Sequence, residues 1–161
     1  MITAKLTQGI GCDISPDSYI GYMEHGGEII LGDYVRIMHG CVIRTCTGII
    51  KIGNLVSIGY NCIFHGMGGI TIGDFTLISP GVHVYAQNHG IDKDMRIRDQ
   101  QNVPKPVVIG KDCWIGAGAI ILGGTVIEDG CVISAGTVMR GTARAYGIYA
   151  GNPCGKIGDR K

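Results

Sequence analysis

Three observations in the sequence predict an all-β solenoid in which short parallel strands wind into a triangular prism. Aliphatic residues recur at intervals of six, small residues stand four positions after them, and glycine supplies 28 of the 161 residues. An amphipathic helix cannot carry a strict six-residue period, because about 3.6 residues per turn would rotate the apolar positions around its surface. Short strands joined by tight corners accommodate this period.

The period also predicts which residues point inward. Three six-residue units make one coil, and each aliphatic residue stacks on its equivalent one coil away. At about 4.8 Å per strand, about six coils give a prism of roughly 29 Å. The predicted inward aliphatic residues are Leu31, Ile37, Ile43, Ile52, Ile58, Ile72, Ile78, Ile109, Ile115, Ile121, Ile127 and Ile133. The small residues predicted at the corners are Val35, Cys41, Thr47, Val56, Cys62, Thr76, Val82, Cys113, Ala119, Thr125, Cys131 and Thr137.

Length and charge limit the domain organisation and the partners. A chain of 161 residues is expected to form a single domain over residues 1–161. Its net charge of +1 creates no field that would attract nucleic acid or an anionic membrane. The segment Met1 to Gln8 lacks the pattern of a secretory signal, and no apolar run approaches the about 20 residues of a membrane span. We therefore expect a cytoplasmic protein that binds a small molecule.

The seven cysteines include no CxxC pair and match no structural zinc spacing. Four of them occupy the small-residue position, where a thiol serves as a compact buried apolar group. These four are Cys41, Cys62, Cys113 and Cys131, whereas Cys12, Cys46 and Cys154 fall outside the period.

The period is interrupted at three places before it fades. Short insertions precede Ile52 and Ile72, and a large break covers about residues 85–107, with a polar and charged sequence that begins with Asn88 and His89. A polar loop on a rigid solenoid is the expected place for a binding or catalytic group. The C-terminal tail, about residues 140–161, is expected to end or flank the stack.

Several motifs in the second half resemble the hexapeptide-repeat acyltransferases, particularly bacterial sugar and surface-polysaccharide O-acetyltransferases of the galactoside and maltose type. The motifs are NHGID, PVVIG, DCWIGAGA, SAGTV and YAGNPCGKI, and the resemblance covers roughly Ile30 to Ile157. It implies a left-handed parallel β-helix, acetyl-CoA as cosubstrate and a homotrimer with active sites between neighbouring subunits. It also implies direct acetyl transfer to a sugar-type acceptor, with no metal required.

The resemblance assigns roles to individual residues. His89 matches the family histidine that acts as general base, and an imidazole suits the removal of a proton from an acceptor hydroxyl or amine. Its other ring nitrogen should be held by a carbonyl or a carboxylate, for which Asp92 is a candidate. Ala117 matches the residue whose backbone N–H stabilises the oxyanion. Trp114 would form a wall of the acceptor pocket.

Further assignments concern the acceptor pocket and the coenzyme. Asn88 and His65 are expected to join Trp114 in the acceptor pocket. His65 stands where galactoside-type enzymes place an acceptor-binding asparagine. The pantetheine arm would lie along the coils that contain Ala117, Ala135 and Gly136.

Basic residues near the end of the chain are candidates for contacts with the coenzyme phosphates. They are Arg140, Arg144 and Lys156, although this sequence has Arg140–Gly141 where family members commonly have a Thr-Lys pair.

Two other functions fit the same solenoid. A γ-class carbonic anhydrase would bind a metal through three histidines, and His65, His83 and His89 invite that comparison. However, five residues separate His83 from His89 where that family has four. A non-catalytic scaffold is the second alternative. The sequence does not identify the acceptor molecule. It also does not specify whether the accepting group is a hydroxyl or an amine, or whether a longer acyl group replaces acetyl.

Overall fold

The computed structural model describes residues 5–21 and 26–161. Residues 1–4 and 22–25 lie outside this description. Residues 1–4 belong to the N-terminal segment that is expected to lack a secretory signal. The described chain forms the predicted solenoid of about six coils, with three parallel sheets as the faces of a prism. This is the arrangement of the left-handed parallel β-helix that the resemblance implied. None of the described helices is long and apolar enough to cross a membrane.

Each coil contributes one short strand to each face. The first face contains Lys5–Gln8, Glu28–Leu31, Ile49–Ile52, Ile70–Ile72, Val107–Ile109, Val126–Ile127 and Thr142–Ala143. The second face contains Asp13–Ile14, Arg36–Ile37, Ser57–Ile58, Leu77–Ile78, Trp114–Ile115, Val132–Ile133, Gly147–Ala150 and Gly155–Asp159. The third face contains Tyr19–Gly21, Val42–Arg44, Ile63–His65, His83–Tyr85, Ile120–Ile121 and Val138–Met139.

The core consists of inward side chains stacked in register from coil to coil. Ile52 pairs with Leu31 on one side and with Ile72 on the other, and the column continues through Ile109 and Ile127. All twelve predicted inward aliphatic residues are at most 3% exposed. The prediction of these core residues from the six-residue period is therefore confirmed.

Eleven of the twelve predicted small residues are buried at the corners, but Thr47 is exposed. The chain leaves the six-residue register after Arg44, and the insertion turns Thr45 inward, where it is fully buried. The prediction for Thr47 was wrong because the number of inserted residues displaces the inward position.

Four cysteines fill the small-residue position as predicted, and all four are at most 2% exposed. Burial raises the pKa of the Cys113 thiol to about 11, so this group stays protonated and unreactive near neutral pH. Cys12, Cys46 and Cys154 are half-buried. Cys154 packs its sulfur 3.4 Å from the sulfur of Met139.

The large break forms a compact loop rather than a continuation of the coil. Strand Gln87–His89 pairs antiparallel with Asn102–Pro104, and a 3₁₀ helix spans Ile97–Asp99 between them. The first-face strand Val107–Ile109 then resumes directly above Ile70–Ile72. In the tail, Gly155–Asp159 folds back antiparallel on Gly147–Ala150 and covers the last edge of the second face.

Neighbouring isoleucines on one strand allow a matched test of the core. Ile50 is fully buried and Ile49 is 45% exposed. Ile50→Ala should lower the free energy of unfolding by about 2–5 kcal/mol, since it leaves a cavity in the stack. Ile49→Ala should change it by only about 0.5 kcal/mol. Denaturant titration followed by circular dichroism measures both values, and equal losses would contradict the register described here.

Candidate active site

The residues predicted to form the site lie at two different corners of the prism. The cleft corner joins the second face to the third and comprises residues 38–40, 59–61, 79–81, 116–118 and 134–136. The loop corner joins the third face to the first and includes the loop of residues 85–107 and the turn at residues 140–141. Each corner recurs in every coil, so that residues distant in sequence form one column.

The cleft corner contains an apolar cleft of about 330 Å³, lined by Ser79, Pro80, Trp114, Gly116, Ala117, Val132, Ile133, Ser134 and Ala135. The Trp114 ring is 53% exposed and forms one wall. Its indole N–H donates a hydrogen bond to the Ser79 hydroxyl at 3.0 Å, which fixes the ring. Ser79 was not identified from the sequence, because its contact with Trp114 crosses from one coil to the next.

Ala117 is exposed and lines this cleft. The neighbouring N–H groups of Gly116 and Gly118 donate to carbonyls of adjacent coils, those of Ile133 and Pro80. Within residues 5–21 and 26–161, no group accepts a hydrogen bond from the Ala117 N–H. Gly116 keeps the turn tight, since a Cβ atom there would lie 2.5 Å from the Ala135 nitrogen. A fixed and exposed N–H group in an apolar cleft is suited to stabilising an oxyanion.

His89 ends the first strand of the loop, and its side chain is exposed. Its Nδ1 lies 3.1 Å from the carbonyl oxygen of Gly90. When Nδ1 carries the proton and donates to this carbonyl, the lone pair of Nε2 faces outward as a base. The carbonyl of Gly90, rather than Asp92, therefore holds the ring. The Asp92 carboxylate instead accepts the backbone N–H of Asp94 at 2.9 Å.

Gln100 organises the loop around His89. Its side-chain oxygen accepts the Asp92 N–H at 2.7 Å, and its amide donates to the carbonyls of Asp92 and Met95. Gly90 permits this packing, since a Cβ there would lie 2.8 Å from the Gln100 side-chain oxygen. The sequence offered only one signal for this role, an amide side chain within a charged loop.

His65 lies on the third face at the loop corner, one coil before the loop and in register with Tyr85. The two rings are 5.4 Å apart, and the Tyr85 hydroxyl lies 3.4 Å from Nδ1 of His83. Burial, reinforced by the positive charge of Arg44, lowers the pKa of His65. His65 is therefore a neutral hydrogen-bonding group near neutral pH. Asn88 is exposed on the adjacent loop strand.

The three candidate cations have different surroundings. Arg140 is exposed at the loop corner and forms no ion pair with any described residue. Arg144 pairs with Glu128 at 2.8 Å, and Lys156 pairs with Asp159 at 2.7 Å. The Ala145 N–H and Arg144 together lower the pKa of the Glu128 carboxyl.

The fold thus sorts the predicted residues into two groups. Trp114, Ala117, Ala135 and Gly136 meet at the cleft corner, whereas His65, Asn88, His89 and Arg140 share the loop corner. The two groups do not meet within one chain, and Lys156 lies apart on the tail. In the described part of the chain, no three His, Cys, Asp or Glu side chains are grouped to hold a metal ion.

The ring orientation of His89 can be tested in solution. We expect neutral His89 to carry its proton on Nδ1, because that nitrogen donates to the Gly90 carbonyl. Long-range ¹H–¹⁵N correlation spectra distinguish the two tautomers. Asp92→Asn should leave the pattern unchanged, and a switch of tautomer in this variant would show that the Asp92 carboxylate controls the ring.

Comparison with known proteins agrees with this fold. The family described as bacterial transferase hexapeptide (six repeats) matches residues 106–141. Nodulation protein L of Rhizobium leguminosarum bv. viciae is 45% identical over 47% of this chain and 39% of its own length. A probable acetyltransferase of Mycobacterium tuberculosis is 31% identical over 83% of this chain and 45% of its own length. The chain therefore spans less than half the length of these two curated relatives.

Solved structures extend the similarity across almost the whole chain. AntD, an N-acyltransferase from Bacillus cereus in complex with dTDP and coenzyme A, superposes with a TM-score of 0.83. It is 27% identical, and the match covers 98% of this chain and 86% of AntD. Galactoside acetyltransferase in complex with coenzyme A shares the fold, with a TM-score of 0.64 and 23% identity over 95% of this chain and 64% of its own. In its stacked six-residue repeats the chain is therefore similar in sequence and fold to the hexapeptide-repeat acyltransferases.

Proposed function

We propose that this protein is an acetyl-CoA-dependent acetyltransferase that acts on a hydroxyl or amino group of a sugar, with His89 as general base. The observation that carries the proposal is the unused N–H of Ala117 in an apolar cleft. An exposed donor on a rigid turn supports this assignment, because it would stabilise an oxyanion without rearrangement of the backbone.

The chemistry requires no covalent enzyme intermediate. Nε2 of His89 removes the proton of the acceptor group as the acceptor oxygen or nitrogen attacks the thioester carbonyl carbon. The carbonyl oxygen becomes a tetrahedral oxyanion, which the Ala117 N–H stabilises. The carbon–sulfur bond then breaks, and the coenzyme A thiolate takes the proton from His89. The Gly90 carbonyl stabilises the imidazolium that exists between these two proton transfers.

The pantetheine arm is assigned to the cleft corner on the C-terminal side of Ala117. Ala135 and Gly136 follow there one coil later, and their small side chains let an extended chain approach the backbone. Of the three cations, Arg140 has no ion pair with any described residue and is assigned to a coenzyme phosphate. Because Arg140 lies at the loop corner, that coenzyme would be bound at the cleft corner of a neighbouring subunit.

We further propose that the complete active site forms between the subunits of a homotrimer. A single chain exposes two apolar surfaces, one on the loop and one on the second face. Ile91, Met95 and Ile97 on the loop are 53–82% exposed. Phe75, Leu77 and Trp114 on the second face are 53–56% exposed. Burying the loop of one subunit against the second face of its neighbour brings His89 towards the neighbour's cleft.

Removing the base should abolish turnover without abolishing coenzyme binding. His89→Ala should lower kcat for thiol release from acetyl-CoA by roughly 10²–10⁴-fold, the usual contribution of a general base. The affinity for coenzyme A, followed by emission from Trp114, the single tryptophan, should remain close to that of the unmodified protein. His83→Ala serves as the matched control, and equal losses in both variants would remove His89 from the mechanism.

Mixing two inactive variants tests whether the site is shared. Ala117→Leu should fill the cleft and prevent coenzyme A binding, while its His89 remains intact. After subunit exchange with His89→Ala at equal amounts, about a quarter of the sites of a closed trimer would combine one intact cleft with one intact histidine. Activity should therefore return to about a quarter of the original value. No recovery, with exchange verified by mass spectrometry, would contradict a shared site.

A further inference from the structure

The cleft corner continues beyond the proposed reaction centre towards the N-terminal coils. A ladder of backbone hydrogen bonds follows it, from the Gly136 N–H to Ala117, from Gly118 to Pro80, from Gly81 to Tyr60 and from Asn61 to His39. Successive rungs are about 4.8 Å apart, so Tyr60 lies about 10 Å and His39 about 14 Å from Ala117. With coenzyme A on the C-terminal side of Ala117, this N-terminal stretch is the remaining path for an acceptor.

Two aromatic rings stand on this path. The rings of His39 and Tyr60 are in contact, with centroids 4.4 Å apart and their planes tilted by 44°. Both side chains are exposed, Tyr60 by 40%. The Tyr60 hydroxyl and the ring nitrogens of His39 form no hydrogen bond with any residue in the described ranges. This aromatic platform, His39 with Tyr60, therefore presents an apolar surface together with free polar groups.

The preceding coil supports the platform through hydrogen bonds of Ser18. The Ser18 hydroxyl, which is buried, donates to the Met38 carbonyl at 3.0 Å and accepts the Cys41 N–H at 3.3 Å. These bonds fix the turn that carries His39. Asp17 stands one coil further, where its carboxylate accepts a hydrogen bond from the Ser15 hydroxyl.

The charges along this corner select the class of ligand. No lysine or arginine occurs in residues 15–18, 38–40, 59–61, 79–81 or 116–118, and Asp17 is acidic. A diphosphate lying between the reaction centre and the platform would meet no lysine or arginine of these turns. A neutral pyranose ring, in contrast, offers an apolar face for the rings, and it offers hydroxyls for the Tyr60 hydroxyl and Asp17.

We propose that His39 and Tyr60 form a subsite for the second or third unit of a neutral oligosaccharide acceptor, whose reacting group lies at Ala117. This inference rests on the proposed function, since Ala117 marks the reacting end. It deepens that function, because it makes the acceptor a short saccharide chain rather than a single sugar.

The test compares acceptors of increasing length. The probes are N-acetylglucosamine, its β-1,4-linked oligomers of two to four units, the corresponding glucose oligomers, and UDP-N-acetylglucosamine. In the thiol-release assay with acetyl-CoA, kcat/KM should rise roughly tenfold from the single sugar to the three-unit oligomer of one of the two sugar series. A factor of about ten is the amount expected when one sugar ring packs on an aromatic side chain. His39→Ala with Tyr60→Ala should remove this rise and leave the value for the single sugar unchanged.

Two further variants separate stacking from a general loss of structure. Tyr60→Phe keeps the ring and should keep most of the length dependence. Tyr34→Ala removes an exposed tyrosine from a different corner and should change nothing. A length dependence that survives the double variant would overturn the inference. So would a preference for the UDP-sugar that depends on Tyr60, because that result would assign the platform to a nucleobase.

Calorimetry distinguishes failure of this inference from failure of the proposed function. Binding of the four-unit oligomers is measured directly, with the full chain in the presence and absence of coenzyme A. If no acceptor supports thiol release but an oligomer binds and the double variant loses that binding, the subsite stands and the proposed function falls. If single sugars are acetylated as well as oligomers and no oligomer binding depends on His39 and Tyr60, the function stands and the subsite falls.

Discussion

The architecture depends on the parallel register between successive coils. Each inward residue must lie over its equivalent in the coil below, because only that register pairs the strand backbones and also buries the aliphatic side chains. Ile52 between Leu31 and Ile72 is one example of a column that runs through the prism. Once this register is fixed, every corner recurs at the same place in each coil. The corners therefore become columns, on which residues far apart in sequence become neighbours.

The position of the loop follows from the same constraint. Only at a corner can the chain leave the stack without breaking the pairing of strands. It must then return to the same column of inward residues. The carbonyl of Ala86 accepts the N–H groups of both Gly68 and Lys105, which closes the base of the loop on the preceding coil. Val107 then pairs with Ile70 as though no residues intervened. His89 is consequently carried on a short hairpin with a fixed base.

The separation of the site into two corners connects the fold to the chemistry. The cleft corner contains small residues and the Ala117 N–H, and the loop corner contains His89, the proposed base. A rigid prism cannot bend to bring its own corners together, which is the reason for proposing that a second subunit completes the site. The exposed apolar side chains on the loop and on the second face, which include Ile91 and Trp114, would lose contact with water in the proposed association.

The sequence by itself determined the inward columns and the place of the loop, because a six-residue period reports directly which side chains face the core and where the repeat is interrupted. It misplaced Thr47, because the length of an insertion shifts the register by an amount that no pattern reveals. It suggested Asp92 as the partner of His89, whereas the turn at Gly90 presents a carbonyl instead. The lack of an acceptor for the Ala117 N–H within the described ranges, the Ser79–Trp114 contact and the His39–Tyr60 ring contact were decided only by the tertiary structure. Each of them depends on which residue lies one coil above or below, and that neighbour is roughly twenty or more residues away along the chain.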